Sequence, residues 1–486
     1  MFTTIISLAG LAASAYLGRR ELSRRKASGE RSGLDWAVAF CVMQLIAALL
    51  GVLGMAPDDI LSPIVLNLVL TACAWGSFAR DLVWQRVTSY IERGAQAEAR
   101  TFAPDCAACD KYETCGHRIA KPEDLTLAGR LGATLRKLGR TASALLHRPT
   151  AVRIIILLLA GLFAMLALEI PSNHDLTWCY PLCILLEWSL ISAVMIGLYH
   201  LFQRHGVAPA VIAFVLWGIG MAQFFVITFK SMPIQPADLS ALGTAAAVST
   251  GYDYIFSAFG LYGMALLAVS MFLCSLASEF RVARAERTRK HVLVNLLVGV
   301  LCLAGVTAHV TLIDYYNTLN ITVYTWRPLE SYYRQGFIPT FISSAQTIKP
   351  PVPEDYDMQA AQELEKSLAA TYDAGEGDDA SHVLAQKQFD QEKPAVIAIM
   401  NETFSDLSIY QNMHAGYNGP QFFKSLPDAL ARGTLYVSAY GGGTCNTEFE
   451  FLTGNSMSYL GSGVYPYTIY DLNETKNLAA QFKDLG

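Results

Sequence analysis

The chain has 486 residues, of which 53% are hydrophobic and 16% are charged. Soluble domains have about a quarter of their residues charged, so this composition indicates that much of the chain lies in a membrane. The formal net charge of −5 gives no reason to expect a nucleic-acid partner. The ten cysteines are too scattered for a secreted disulfide framework.

Eight apolar runs are candidates for membrane spans, which need roughly 17–25 residues each. They cover residues 2–17, 36–55, 60–78, 152–170, 176–202, 207–229, 254–277 and 292–313. The first run is the shortest. It has no basic segment before it and no clear cleavage site after it, so we interpret it as a span rather than a removed signal peptide.

Basic residues in the connections predict the orientation of these spans, because arginine and lysine accumulate on the cytoplasmic side. The connections after the first, third, fifth and seventh runs are basic, whereas those after the second, fourth and sixth carry Asp58, Asp175 or Asp238. We therefore expect everything after the eighth run to lie outside the cell.

The predicted cytoplasmic loop, residues 80–151, contains a compact group of possible metal ligands: Cys106, Cys109, Cys115 and His117. Three thiolates and one imidazole suit a tetrahedral, structural Zn²⁺. The CxxC pair has the usual spacing, but the CxH pair that follows is compressed. Two interpretations stay open, a zinc site and reduced cysteines without a metal, and the compressed spacing favours the second.

Two segments outside the spans have a recognisable pattern. The outer connection at 233–245 is apolar but is broken by proline and glycine, which suits either a re-entrant segment near a substrate head group or an ordinary surface loop. Residues 326–348 have a helical pattern, with aromatic side chains typical of a membrane interface, and a proline-rich linker follows.

The last part of the chain reads as the start of a soluble α/β domain. The short apolar run 394–400 predicts a parallel strand buried on both faces, and 434–440 predicts the next strand. Helices are predicted at 422–431, from about Asn446, and at 477–485. Ligands of such sheets bind at the C-terminal ends of the strands, where Glu402 and Thr444 both lie.

Three glycines at 441–443 precede Thr444 at a predicted turn from strand to helix. Glycines let the backbone approach a ligand closely, and the helix N-terminus favours an anion, so Thr444 suits a nucleophile that attacks a phosphate or sulfate ester. Thr444 suits a helix N-cap equally well. Glu402 fits either a ligand of Mn²⁺ or Mg²⁺ or a salt bridge at the edge of the sheet.

Residues 398–407 and 441–456, around Glu402 and Thr444, resemble the start of the lipoteichoic acid synthase-like domain of the sulfatase and alkaline phosphatase superfamily. The resemblance extends more loosely over 152–486. It implies a multi-pass helical membrane domain followed by an extracellular α/β sulfatase-like domain, in the plasma membrane of a bacterium.

We therefore expect five regions in the chain. They are three N-terminal spans at 1–79, the cysteine-containing loop at 80–151, a five-helix membrane module at 152–313, a juxtamembrane helix and linker at 314–393, and the N-terminal part of the catalytic domain at 394–486.

The resemblance implies a phosphoglycerol transferase. Thr444 would attack phosphatidylglycerol, release diacylglycerol and hold the glycerophosphate covalently until an acceptor, a teichoic acid or a glycan, receives it. Glu402 matches a metal ligand of the family, and Thr444 matches its nucleophile and is expected to be a second ligand of the metal, which is typically Mn²⁺.

Two departures from the family pattern qualify this expectation. Cys445 is followed by Asn446, Thr447 and Glu448 rather than by the motif of formylglycine sulfatases, so sulfate-ester hydrolysis is not expected. The Asp-His pair and further ligands that complete the family's metal site are not found, so we expect the chain to be a C-terminally incomplete fragment. Two alternative functions stay open, a phosphoethanolamine transferase and a non-catalytic membrane protein whose cysteine loop senses metal or redox state.

Overall fold

The structure is a computed structural model of the chain. It describes residues 2–25, 34–101, 148–241, 243, 252–279, 287–324, 327–348, 355–393, 395–401, 404–410, 416–429, 432–438, 443–460, 464–473 and 475–485. These residues form two compact units. The membrane unit comprises Met1–Ile234, Val248–Thr322 and Leu329–Ile342, and the C-terminal unit comprises Gln235–Ala247, Val323–Pro328 and Ser343–Gly486.

Nine helices in the described part of the chain form most of the membrane unit. They are α1 (Phe2–Arg25), α2 (Leu34–Val52), α3 (Leu61–Phe78), α4 (Arg80–Thr101), α5 (Pro149–Glu169), α6 (Pro181–Leu201), α7 (Val207–Lys230), α8 (Ala258–Ala277) and α9 (Arg289–Leu312). Seven of these, all except α1 and α4, are long and apolar enough to cross a membrane. The chain thus has the helices of a multi-pass membrane protein, as its composition predicts.

Helix α1 is the one predicted span that is not among these seven. It is a regular helix of 24 residues, but its last turns carry arginines, and polar side chains lie on its buried face. Ser7 and Ser14 are buried there, and the Asn67 side chain of α3 donates a hydrogen bond to Ser7 Oγ (2.9 Å). Polar contacts of this kind join helices inside membranes.

Contacts between the ends of these helices agree with the alternating orientation of the spans that the basic connections predict. At one end, Arg80 Nη2, just after α3, donates to the Ser278 carbonyl after α8, and Arg153, near the start of α5, pairs with Glu279. At the other end, the Phe256 N–H before α8 donates to the Met55 carbonyl (2.7 Å). Successive spans therefore run in opposite directions.

Small side chains allow the helices of the membrane unit to approach closely. Ala160 and Ala164 of α5 are fully buried, and Ser270 Oγ of α8 donates to the Ala160 carbonyl (2.8 Å). A Cβ on Gly220 of α7 would collide with the carbonyl oxygen of Leu168 in α5. Inside a membrane, helices associate through packing of this kind rather than through the hydrophobic effect.

The predicted helix at 326–348 is two helices, α10 (Pro328–Gln335) and α11 (Phe337–Gln346). Gly336 separates them with a φ of +79°, a conformation that glycine adopts without strain. The predicted linker at 349–393 also contains two helices, α12 (Met358–Ala374) and α13 (Ala380–Gln391). Asp357 and Asp379 cap their N-termini by accepting N–H groups at 2.8 Å.

The α/β sulfatase-like fold is not found, because the described residues contain no β-strand. Residues 395–401 and 432–438, which cover most of the two predicted strands, are unpaired and exposed, with Ile397 84% and Tyr436 90% exposed. A strand buried on both faces depends on neighbouring strands and covering helices, and the described residues supply neither.

Short helices make up the rest of the C-terminal unit. They are α14 (Gln421–Lys424), α15 (Thr444–Thr453), α16 (Pro466–Ile469) and α17 (Leu478–Asp484). The helix after the glycine turn and the last helix are confirmed, whereas the helix predicted at 422–431 is a single turn. Asn477 caps α17 by accepting the Ala480 N–H (2.9 Å).

Candidate functional site

The candidate nucleophile lies at the N-terminus of α15. Gly443 precedes the helix with a φ of +90°, and Thr444 is its first residue. This left-handed conformation strains any residue that has a Cβ, so the third glycine of the turn has a structural reason. Gly443, rather than Thr444, occupies the N-cap position. The half-buried Thr444 hydroxyl makes no hydrogen bond to the described residues.

Hydrogen bonds within the turn and to residues that follow α15 in the chain fix the start of this helix. The Asn446 N–H donates to the Gly443 carbonyl (2.8 Å), and its side chain donates to the Val464 carbonyl (2.9 Å). Tyr467 donates its hydroxyl to Glu448 Oε1 (3.4 Å). Burial, together with the charge of Glu448, raises the pKa of the Tyr467 hydroxyl. Tyr467 therefore stays protonated at neutral pH and keeps its hydrogen bond to Glu448.

Glu450, in α15, connects the helix to the loop that follows it through hydrogen bonds. Its carboxylate accepts the Met457 N–H (2.7 Å) and the Ser456 hydroxyl (3.4 Å). Burial acts to raise the pKa of Glu450, but these hydrogen bonds and one from the Ser438 N–H outweigh it, and the pKa is lowered. The apolar side chains beneath form one cluster, with Phe449, Met457 and Val464 buried at its centre.

The loop around Pro236 belongs to the same unit as Thr444. It forms a 3₁₀-helix, Pro236–Ala241, that packs against α16. The Asp238 carboxylate accepts the Gln235 N–H (2.8 Å), which fixes the start of the turn. In the sequence, this loop lies more than 200 residues from α16, and nothing in its pattern predicts that contact.

Several predicted site residues lie outside the described residues. These are Glu402, and the four candidate zinc ligands Cys106, Cys109, Cys115 and His117. The proximity of Glu402 to Thr444 and the zinc site therefore stay predictions. Within the described ranges, no group of three His, Cys, Asp or Glu side chains is arranged to hold a metal ion.

Sequence reasoning missed a pair of buried carboxyl groups in the membrane unit. Glu169 ends α5 and Glu187 lies in α6, and they are 3% and 1% exposed. They hydrogen-bond to each other and accept the N–H groups at the start of α11: Glu169 accepts Phe337 (2.7 Å) and Glu187 accepts Ile338 (2.9 Å). The signal was available, because an acidic residue within an apolar span is rare and usually has a specific role.

Gly336 allows this close approach. A Cβ at that position would lie 2.6 Å from Glu187 Oε2 and 3.8 Å from Glu169 Oε1. The side-chain amide of Asn173 reinforces the arrangement by donating to Glu169 Oε2 (3.2 Å) and to the Tyr333 carbonyl (3.1 Å). The pair therefore anchors the N-terminus of α11 to the membrane helices.

Comparisons with known proteins give one short similarity. The chain is 34% identical over 100 residues to a protein of Rhizobium meliloti (strain 1021) named "Putative cyclic beta-1,2-glucan modification protein". The match covers 19% of this chain and 14% of that protein. No protein-family model and no solved structure matches the chain.

Proposed function

We propose that the chain belongs to a membrane transferase that moves glycerophosphate from phosphatidylglycerol to a glycan or another polymer of the cell envelope. The observation that carries this proposal is Thr444, whose hydroxyl lies at the first position of α15, directly after the left-handed Gly443. The apolar helices and the similarity to a protein named for glucan modification support the membrane setting and the acceptor.

The helix N-terminus suits the chemistry of a phosphodiester. The first N–H groups of a helix have no partners within it, and together with the helix dipole they stabilise negative charge. The charge on the phosphate oxygens grows when an oxygen nucleophile attacks phosphorus. A hydroxyl at this position is therefore next to groups that stabilise the attack.

The reaction proceeds in two balanced steps. In the first, Thr444 Oγ1 bonds to phosphorus, the bond from phosphorus to the diacylglycerol oxygen breaks, and that oxygen takes the proton of the threonine. In the second, an acceptor hydroxyl bonds to phosphorus, the bond to Thr444 breaks, and Thr444 regains a proton. A covalent glycerophospho-threonine links the two steps.

The metal implied by the family resemblance is not supported by the described residues. Mn²⁺ or Mg²⁺ needs several oxygen ligands, and the described part of the chain offers no group of three candidate ligands around Thr444. Glu402 stays a proposed ligand.

The test is covalent capture in membranes that contain the full-length protein. With phosphatidylglycerol labelled in the glycerol head group, we expect label on the protein at Thr444, identified by peptide mass spectrometry. Thr444→Ala should lose the label and glycan transfer, whereas Thr444→Ser, which retains a hydroxyl, should keep part of both.

Thr447→Ala is the matched control, since Thr447 lies one turn further along the same helix. It should retain labelling. Label that persists in Thr444→Ala would disprove the nucleophile. Label from phosphatidylethanolamine but not from phosphatidylglycerol would instead assign the same residue to a phosphoethanolamine transferase.

A further inference from the structure

Three arginine side chains converge on one carboxylate at one end of the membrane unit. Arg153 Nη1 and Arg204 Nη1 lie 2.7 Å and 3.0 Å from Glu279 Oε1, and Arg287 Nη2 pairs with Glu279 Oε2. The four side chains are 9–24% exposed. Three positive charges and one negative charge leave an excess of two positive charges at a place that water reaches poorly.

The backbone holds these arginines in place. Gln203 and Arg204, between α6 and α7, have φ values of 54° and 57°, which non-glycine residues rarely adopt. The surroundings impose this conformation: the Arg204 carbonyl accepts the Glu279 N–H (3.1 Å), and the Gln203 carbonyl accepts Arg287 Nη1 (2.5 Å). Local strain of this kind persists where contacts over-determine the geometry, and it is frequent at binding sites.

Not every N–H donor of these guanidinium groups has a hydrogen-bond acceptor among the described residues. Each guanidinium offers five N–H donors. Arg204 Nε donates to Asn295 Oδ1 (3.1 Å), and Arg153 stacks over the ring of Trp84 (4.5 Å). Arg153 Nε is buried and has no hydrogen-bond acceptor of good geometry among the described residues. The oxygen of the Tyr199 hydroxyl, which donates to the Ala277 carbonyl (2.8 Å), lies beside this guanidinium and can accept from it only in part.

Unneutralised charge in a poorly hydrated place is unfavourable unless a counter-ion accompanies it. In the described part of the chain, Glu279 is the one carboxylate that pairs with Arg153, Arg204 or Arg287. An anion with several acceptor oxygens would supply both the missing charge and the missing acceptors.

We propose that this arginine cluster binds a phosphate group. The planar fork of arginine matches two phosphate oxygens at once, which makes phosphate a better ligand than a carboxylate for three converging guanidiniums. The cluster lies at the ends of membrane helices, where phospholipid head groups are found. The ligand is thus a phosphate ester of an anionic lipid, or a soluble phosphate that shares its chemistry. This site is independent of the reaction proposed at Thr444.

Lipid retention tests the site. The protein is placed in nanodiscs of phosphatidylcholine with a minor fraction of phosphatidic acid, and the bound phosphatidic acid is measured by native mass spectrometry. Arg204→Gln removes one guanidinium and should weaken retention about tenfold. Glu279→Gln removes the opposing negative charge and should strengthen retention about threefold.

Arg289→Gln is the matched control, because Arg289 is an exposed arginine at the same end of the unit and has no place in the cluster. It should leave retention unchanged. Arg204→Lys, which retains the charge, serves if Arg204→Gln does not fold, and it should weaken retention less. Added inorganic phosphate that displaces phosphatidic acid would identify a soluble ligand, whereas unchanged retention would identify the lipid.

A phosphate site and a purely structural clamp predict different results for the two main variants. In a phosphate site, Arg204→Gln weakens the retention of phosphatidic acid and Glu279→Gln strengthens it. A clamp requires both partners, so Glu279→Gln and Arg204→Gln would then destabilise the protein alike, and neither would change the retention of phosphatidic acid relative to phosphatidylcholine. That result, or equal retention in the control and both variants, would overturn the proposal.

Discussion

The membrane unit and the C-terminal unit differ in how their backbone hydrogen bonds are formed and in how much apolar surface they bury. In the membrane unit, long helices complete their hydrogen bonds internally and bury side chains such as Met195 and Leu267 to 1% exposure or less. In the C-terminal unit, the helices other than α12 have 12 residues or fewer, one small apolar cluster lies under α15, and Ile397 and Ile399 are more than 80% exposed. A helix is thus stable within its own segment, whereas an extended segment depends on distant parts of a chain.

If this contrast is correct, contacts that join the membrane helices should matter more for stability than any in the C-terminal unit. The largest effect is expected at the carboxyl pair. Glu187→Ala leaves the N–H of the half-buried Ile338 without an acceptor and opens a cavity beside Glu169, so it should lower the free energy of unfolding by about 3 kcal/mol. Unfolding in mixed micelles measures this.

Glu187→Gln is the control for the carboxyl pair. Its amide oxygen still accepts the Ile338 N–H and its NH₂ group still donates to Glu169, so the loss should stay below about 1 kcal/mol. An equal loss in both variants would show that these hydrogen bonds do not hold the start of α11.

Close packing of the membrane helices gives the next effect. Gly220→Ala places a methyl group against the Leu168 carbonyl and should cost about 2 kcal/mol through displacement of α5 from α7. Gly218, in the same helix, has open space around its Cβ position, so Gly218→Ala should be neutral or slightly stabilising. If the two variants unfold alike, the interface between α5 and α7 is not closely packed.

The same contrast explains what could be predicted from the sequence. The spans from 36 onwards were predictable, because apolar length and basic connections are properties of each segment alone. The strands at 394–400 and 434–440 were not, because their pairing depends on neighbours that the described residues do not supply. The turn at Thr444 could be located from its glycines, but its contacts with Val464 and Tyr467 depend on how a later loop folds back.

Within the C-terminal unit, the glycine turn before α15 should be sensitive to substitution. Gly443→Ala forces a residue with a Cβ into a left-handed conformation and should cost about 1 kcal/mol, all of it from the backbone, since no side chain lies within 3.4 Å of the added Cβ. Hydrogen exchange at the N–H groups of α15 should accelerate in Gly443→Ala. It should stay unchanged in Gly433→Ala, where the φ is ordinary and the space is open.

The smallest effect is expected at an exposed ion pair of the C-terminal unit. Asp406 accepts Lys424 Nζ (2.6 Å) and the Ser408 hydroxyl, and these hydrogen bonds lower the pKa of its carboxyl group to about 2. Because the folded-state pKa lies below the ordinary value of 3.8, the contact stabilises the unit above pH 4, and the stabilisation is lost as the pH falls towards 2.

A carbon NMR titration of the Asp406 carboxyl group measures this directly, and Lys424→Gln should raise its midpoint towards 3.8. A midpoint near 3.8 in the unmodified protein would mean that the ion pair is not formed in solution. The consequence for stability should be slight in either case, because water screens a pair whose side chains are 28% and 44% exposed. In the membrane unit the same kind of group, a carboxylate that receives backbone N–H donors, is buried, and its loss is therefore expected to matter most.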